Sequence, residues 1–172
     1  MVIERPGTDF LDRLYYGGTL PVEAERLLHE AALSYSDTAR AQRYLMEAFV
    51  RFPGHVPVYI ACYKFYFYKG NLPEALRYAG LCRDYMARKL GFPEDFGAVT
   101  PAHADFEDYK SDPRFYLFTL KAIGYISIRL GQFGEGARYV RKVRELDPLD
   151  RMGGSILEGL LEKAIRGESD DD

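Results

Sequence analysis

Residues 56–82 carry the stretch that decides the fold, VPVYIACYKFYFYKGNLPEALRYAGLC. Its first half is an apolar run interrupted by Lys64, and Gly70 and Asn71 separate it from a second half with apolar residues at helical spacing. Asn71 is followed three residues later by Glu74, the spacing of a capping box. The stretch therefore predicts two antiparallel helices joined by a tight turn, the first covered on more than one side because it is apolar nearly all round.

Five apolar residues upstream are matched by apolar residues 34 positions later. Leu28, Ala32, Ala41, Leu45 and Ala48 correspond to Cys62, Tyr66, Ala75, Ala79 and Cys82. A period between about 20 and 50 residues is typical of stacked helical hairpins that cannot bury their apolar faces alone. The first unit is accordingly predicted to pair a helix starting near Pro21 with one capped by Ser36 or Asp37 and ended by Pro53.

A third unit follows at a different offset. Gly70, Glu74, Arg77 and Tyr78 reappear 61 residues later as Gly131, Glu135, Arg138 and Tyr139. Because 61 exceeds 34 by 27, about 27 residues are inserted between the second and third units. Within the insertion, Thr100 and Pro101 predict the start of a short helix reaching Lys110.

These patterns divide one predicted domain, residues 1–166, into successive parts. The three units span about 22–55, 56–89 and 117–150, with an insertion at about 90–116, a capping helix at about 151–166 and a disordered acidic tail at 167–172. The long helices of the third unit are predicted at about 113–130 and 133–146, and Asp9 to Tyr16 predicts a short helix covering the first end of the stack.

Composition limits the classes of function. With 172 residues, 47% of them apolar, the chain suits one globular domain, and a net charge of -3 argues against a nucleic-acid partner. The most apolar stretch is shorter than the roughly 20 residues of a membrane span, and no signal peptide precedes it, so a cytoplasmic protein without a membrane partner is expected. Cys62 and Cys82 are predicted to be reduced thiols of the core.

Two turn motifs resemble those of the tetratricopeptide repeat family. They are Gly70-Asn71-Leu72-Pro73-Glu74-Ala75 and Gly131-Gln132-Phe133-Gly134-Glu135-Gly136, and Pro53 and Pro148 resemble the proline that closes a unit in that family. The resemblance implies an all-α fold, a right-handed superhelical stack of antiparallel helix pairs. It also implies a concave groove, lined by the first helix of each unit, that accepts a peptide.

Carrying the groove-facing spacing of that family onto this chain gives a set of aromatic, aliphatic and charged residues. The set is Arg26, Glu30, Leu33, Ile60, Lys64, Phe67, Tyr68, Phe118, Lys121, Tyr125, Ile128 and Arg129. A peptide with apolar anchors and some acidic character would fit such a surface. The alternative is that the aromatic residues pack against neighbouring helices and the cations are solvated.

The resemblance favours a non-enzymatic adaptor or scaffold that binds a protein or peptide. Two alternatives remain open: a secretion-type or assembly chaperone for one client, and a homodimer that uses the groove for self-association. The carboxylate clamp of co-chaperones in the same family is not expected, because the matching positions hold Arg26, Glu30, Ala61, Phe118 and Ala122.

No pattern for catalysis, a cofactor or a metal is present in the sequence. His29, His55 and His103 are widely separated, and no glycine-rich phosphate loop or nucleophile elbow occurs. His103 with the nearby carboxylates Asp105, Glu107 and Asp108 could bind a cation weakly, but an exposed acidic helix explains these residues better.

The insertion has two interpretations. It is either a connection between two long helices, or a lid in which Phe96, Phe106 and Tyr109 fold across the groove and occupy it.

Overall fold

A computed structural model describes residues 20–108 and 112–167, and within these ranges the chain is all-helical, without a β-strand. The α-helices are α1 (Val22–Leu33), α2 (Thr38–Arg51), α3 (Val56–Tyr68), α4 (Leu72–Leu90), α5 (Asp112–Arg129), α6 (Phe133–Leu146) and α7 (Gly154–Arg166). Short 3-10 turns at Phe96–Ala98 and Pro101–His103 lie between α4 and α5.

The predicted helices of the three units are confirmed within a residue or two. α4 ends where Gly91 adopts a φ of 68°, a left-handed conformation that glycine reaches without strain and that stops the helix. At the start of α4, the Asn71 side chain accepts a hydrogen bond from the Glu74 backbone N–H at 3.3 Å, and Asp37 caps α2 through Arg40 in the same way. The capping signals in the sequence therefore act as expected.

The short helix predicted from Thr100 to Lys110 is wrong, because helical structure ends at His103. The Thr100 backbone N–H donates to His103 Nδ1 at 3.0 Å, and the Glu107 backbone N–H donates to the Asp105 carboxylate at 2.9 Å. Such local bonds from side chain to backbone compete with the helical ladder. The predicted helix at Asp9 to Tyr16, the end of the insertion at 109–111 and the tail at 168–172 lie outside the described residues.

Aromatic contacts show that α3 and α4 run antiparallel. Tyr59, early in α3, stacks on Tyr85, late in α4, with ring centroids 5.4 Å apart. Tyr66, late in α3, stacks on Tyr78, early in α4, also at 5.4 Å. The start of α3 therefore lies beside the end of α4, and the end of α3 beside the start of α4, as the tight turn at Gly70 requires.

The other two pairs follow the same rule. Glu23 at the start of α1 lies 3.4 Å from Arg51 at the end of α2. In the third pair, a Cβ added at Gly136, early in α6, would lie 2.7 Å from Cγ1 of Ile128, late in α5. The pairs also pack on one another, α2 on α3 and α4 on α5, so that one apolar core runs through them.

α3 is the most buried helix of this core, with nine of its 13 residues buried. The prediction that it is covered on more than one side is confirmed. Cys62 on α3 and Cys82 on α4 are both buried and free, as predicted, and burial raises the pKa of each thiol to about 12. Cys82 Sγ lies 3.7 Å from Thr119 Oγ1 and so joins α4 to α5.

The segment between α4 and α5 packs against α6 and the start of α5. The Phe96 ring stacks on Tyr139 of α6 with centroids 4.1 Å apart, and Phe92 contacts Tyr116 of α5 at 5.1 Å. Phe106 is buried against Phe92. The lid hypothesis is therefore wrong for the described residues, because both phenylalanines proposed to fill the groove are used elsewhere; Tyr109 lies outside the described residues.

α7 follows the third pair and is held by a small apolar cluster of its own. Its Leu157 and Leu161 pack against Ile128 of α5 and Val140 of α6, apart from the main core. Only three of the 13 residues of α7 are buried. None of the helices in the described ranges has the length and apolar character that a bilayer span requires.

Candidate functional site

Two adjoining cavities lie between α5 and α7. The first has a volume of about 280 Å³ and the second about 240 Å³, and they share Tyr125 and Leu160. We call the two together the α5–α7 groove. It is lined by Phe118, Lys121, Ala122, Tyr125, Ile128, Arg129, Gly131, Phe133, Ile156, Leu157, Leu160, Lys163 and Ala164.

Helical spacing explains why these residues share one surface. Phe118, Ala122 and Tyr125 are three or four residues apart on α5, and Ile156, Leu160 and Ala164 are four apart on α7, so each set lies along one face. In both helices the first cavity takes the earlier residues and the second cavity the later ones. α5 and α7 therefore run in the same direction along the groove.

The chemistry of the groove is apolar and aromatic, with cations. Lys121, Arg129 and Lys163 are the cationic residues of the lining, and among the described residues no carboxylate lines either cavity. Apolar contact area with a few placed charges is what a site needs to hold and orient a side chain. The surface suits an apolar anchor accompanied by an acidic group.

The ammonium of Lys121 already has a partner within the protein. It donates a hydrogen bond to the backbone carbonyl of Met152, in the turn between α6 and α7. Burial lowers the pKa of Lys121 below its usual value, and the negative charges of Asp150 and Asp147 oppose that shift. The aliphatic part of Lys121 therefore lines the groove, while its ammonium group binds the turn between α6 and α7.

Arg129, in contrast, is exposed at the second cavity. Its Nη1 donates to the Tyr125 hydroxyl at 3.2 Å, and the guanidinium lies 5.9 Å from the centre of the Tyr125 ring. The contact orients both side chains over the groove. Arg129 and Tyr125 together offer a positive charge beside an aromatic surface.

The structure brings together a subset of the predicted site residues. Phe118, Lys121, Tyr125, Ile128 and Arg129 line the groove. Phe67 of α3 contacts Tyr125 with ring centroids 5.6 Å apart, and Tyr68, 48% exposed, lies beside Phe67. The aromatic surface thus extends from α5 onto the end of α3, and Lys64 is half-buried on the same helix.

Ile60 is a correction to the predicted set. It is 1% exposed and belongs to the main core, so it cannot contact a ligand. The spacing of the resembled family places this position on the groove, but α3 of this chain is apolar on nearly every side. Helical spacing alone therefore did not distinguish its ligand face from its core faces.

Arg26 and Glu30 of α1 lie in a different environment. The Arg26 guanidinium donates to the Glu23 carboxylate at 2.8 and 3.0 Å, and Glu23 also contacts Arg51 of α2. Glu30 lies near Arg26 and Arg40. These charges line the seam between α1 and α2, while Leu33 at the end of α1 is 67% exposed.

Sequence reasoning missed the α7 wall of the groove. Ile156 and Leu160 line it, and Ile156 is 69% exposed. The available signal was the width of the apolar arc on this helix. Leu157 and Leu161 form the buried face of α7, so apolar residues at 156 and 160 as well make its apolar arc wider than a capping helix with a polar outer side needs.

The histidine and carboxylates of the insertion do not form a metal site. Within residues 20–108 and 112–167, no group of three or more histidine, cysteine or acidic side chains is arranged to hold a metal ion. His103 instead contacts Thr100 through Nδ1.

Comparison with known proteins identifies a relative of this chain. No protein-family model matches, and no solved structure matches. A protein of Azotobacter chroococcum mcd 1, described as an uncharacterized 19.8 kDa protein in the nifW 5' region, is 32% identical over 133 residues. The match covers 76% of this chain and 74% of the relative, so it includes most of both proteins.

Proposed function

The chain belongs to the same family as the 19.8 kDa protein of Azotobacter chroococcum mcd 1, and we propose that it is a non-enzymatic protein-binding module. In this proposal the α5–α7 groove holds a segment of a partner protein. The observation that carries it is the composition of the groove, which joins aromatic and aliphatic walls with cations and no carboxylate in the described lining.

The division of the groove supports a peptide ligand. It consists of two adjoining cavities of about 280 and 240 Å³ that follow one another along α5 and α7. Two adjoining cavities of this size suit two anchoring side chains from one segment. Tyr125, shared by both, would contact each anchor, and tyrosine is among the residues that contribute most to binding energy at interfaces.

The charges of the groove favour an acidic segment. A carboxylate near Arg129 or Lys163 would meet positive charge without an opposing carboxylate in the lining. Because exposed ion pairs contribute only about 0.2–1 kcal/mol, most of the affinity would come from the apolar anchors. The acidic groups would set the orientation of the segment and speed its association.

A right-handed superhelix of the tetratricopeptide type is part of this proposal. Three antiparallel pairs packed in sequence order support it, as does the common direction of α5 and α7, which would both be groove-lining helices. An adaptor or scaffold in the cytoplasm, or a chaperone for one client, would use the groove in the same way.

Ile156 and Ile165 provide a matched pair for the test. Both are exposed isoleucines of α7, at 69% and 60%, but only Ile156 lines the groove. The full chain is used to capture partners from its native cell, and the captured segment is then titrated as a synthetic peptide. We expect Ile156→Ala and Tyr125→Ala to weaken binding about tenfold or more, as hot-spot truncation does, and Ile165→Ala to leave it nearly unchanged. Equal effects of the two isoleucine variants would refute the groove as the site.

Self-association is the second candidate, favoured by the exposed isoleucines of α7. Sedimentation equilibrium of the wild-type chain and of Ile156→Ala distinguishes the two functions. A wild-type dimer that dissociates in the variant would assign the groove to a second copy. A monomer at all concentrations leaves the groove to another protein.

A further inference from the structure

We infer that Asp147 and Lys121 are positioning residues that hold α7 in place as a wall of the groove. Polar contacts connect these two residues to the inserted segment. The functional part of this inference rests on the proposed binding role of the α5–α7 groove.

The two side chains bind the two backbone polar groups of Met152, its carbonyl and its N–H. Lys121 of α5 donates to the Met152 carbonyl, and the Met152 backbone N–H donates to Asp147 Oδ2 at 2.6 Å. Asp147 follows the last residue of α6 and is 3% exposed. Met152 stands two residues before α7, so these bonds fix the point from which α7 departs.

Asp147 also connects the turn to the insertion. Its Oδ1 lies 3.7 Å from Nη1 of Arg114, a buried residue at the start of α5, and the same Nη1 donates to the Phe106 carbonyl at 3.1 Å. A second contact runs in parallel at the surface, where Arg151 lies 3.8 Å from Glu107. A chain of polar contacts therefore leads from the insertion through Arg114, Asp147 and Met152 to Lys121 in the groove.

The insertion is itself held firmly at this side of the protein. Lys142 of α6, 6% exposed, donates to the Val99 carbonyl at 2.7 Å and to Glu145 at 2.6 Å. Two buried cations, Lys142 and Arg114, thus each bind a backbone carbonyl of the insertion. A buried cation needs such partners, so these bonds hold the described part of the insertion against α5 and α6.

α7 needs this support because little apolar surface holds it. Leu157 and Leu161 are its buried side chains in the docking cluster, which is separate from the main core, and Ala164 packs partly against the same cluster. Ile156 and Leu160 line the groove, where Ile156 is 69% exposed. The placement of the turn therefore determines how far Ile156 stands from Phe118, and hence which anchors enter.

Hydrogen exchange of the full chain, measured by mass spectrometry, tests the inference without a ligand. Lys121→Met keeps the apolar stem at the groove and removes the donor to Met152. Arg129→Met is the matched control, because it removes the other cation of α5 that lines the groove and leaves the turn intact. We expect exchange of α7 amides to rise about tenfold in Lys121→Met, with α2 amides unchanged, and no such rise in Arg129→Met.

Asp147 is tested by a pair of variants. Asp147→Ala removes the acceptor of the Met152 N–H, whereas Asp147→Asn keeps an oxygen there and should restore most of the protection of α7. If Asp147→Ala does not fold, Lys121→Met decides by itself. Unchanged α7 exchange in Lys121→Met, or an equal rise in α2, would overturn the inference. If only the proposed function is wrong, Ile156→Ala will leave partner binding unchanged, while Lys121→Met will still raise the exchange of α7 amides.

Discussion

α3 and α7 are both 13 residues long, and they are held in place by different means. α3 buries nine residues between α2 and α4 within the main core. α7 buries three, docks through a small cluster, and depends on hydrogen bonds at the turn before it. Burial of apolar area stabilises in proportion to the area removed from water, so α3 contributes more to the stability of the domain than α7 does.

The difference between α3 and α7 indicates which helix can shift when a ligand binds. A helix with nine buried residues cannot move without opening the core, since protein interiors are close-packed. A helix held by three buried residues and a few polar contacts can shift at lower free energy, and binding sites are drawn from such regions. α5 resembles α3 in this respect, because ten of its 18 residues are buried. The α5–α7 groove therefore lies between a rigid helix and an adjustable one.

The largest effect should follow from a change within α3. Ile60→Ala removes three carbons from a site that is 1% exposed, and we expect it to lower the free energy of unfolding by about 2–5 kcal/mol. Urea denaturation followed by circular dichroism measures this. The matched control is Ile156→Ala in α7, 69% exposed, which should stay within about 0.5 kcal/mol. A similar loss in both variants would remove the contrast between the helices.

An intermediate effect is expected at the cluster that docks α7. A Cβ at Gly136 would lie 2.7 Å from Ile128 Cγ1, closer than the two atoms can pack. Gly136→Ala should therefore push Ile128 against Leu157 and destabilise by about 1–3 kcal/mol. Gly134→Ala on the same helix is the control, because nothing lies within 4 Å of its added carbon. Gly136→Ala as stable as Gly134→Ala in urea would contradict the prediction.

A stabilising change is expected within α7 itself. Gly159 lies inside the helix, with open space where a Cβ would stand. Gly159→Ala should stabilise by about 0.5–1 kcal/mol, because alanine has less backbone freedom to lose than glycine. The gain should appear as slower hydrogen exchange in α7, with α3 unchanged. A loss of stability would show that α7 needs a flexible point there.

The smallest effect is expected at an exposed ion pair that belongs to α1 and to neither α3 nor α7. Arg26 hydrogen-bonds to Glu23 and, together with Arg51, lowers the pKa of that carboxyl to about 2 from an ordinary value of 4.5. Because the folded-state pKa is lower than the unfolded one, the stabilisation is present above about pH 4.5 and is lost as the pH falls towards 2.

The measurement compares the urea midpoints of the wild-type chain and Glu23→Gln at pH 7 and pH 2.5. A small difference at pH 7 should shrink at pH 2.5, and also at 1 M salt, which screens exposed charges. A difference that grows towards low pH would contradict the assignment to an ionised Glu23.

Helix boundaries and helix pairing can be read from the sequence. Caps at Asp37 and Asn71 and the glycine stop at Gly91 are local signals, because each depends on residues within about one turn. Hydrogen bonds at helix ends act over such distances, so the start of α2 and both ends of α4 could be predicted closely. The 34-residue period adds the pairing, because it repeats the same apolar pattern from one hairpin to the next. The buried thiols Cys62 and Cys82 followed from the same period.

Ile60 and Phe118 are both predicted to face the groove, yet Ile60 is 1% exposed within the main core and Phe118 lines the groove. Phe96 reaches Tyr139 across 43 residues of chain, and Asp147 reaches Arg114 across 33. Contacts between residues so far apart depend on how the helices pack, and a local pattern does not contain that information.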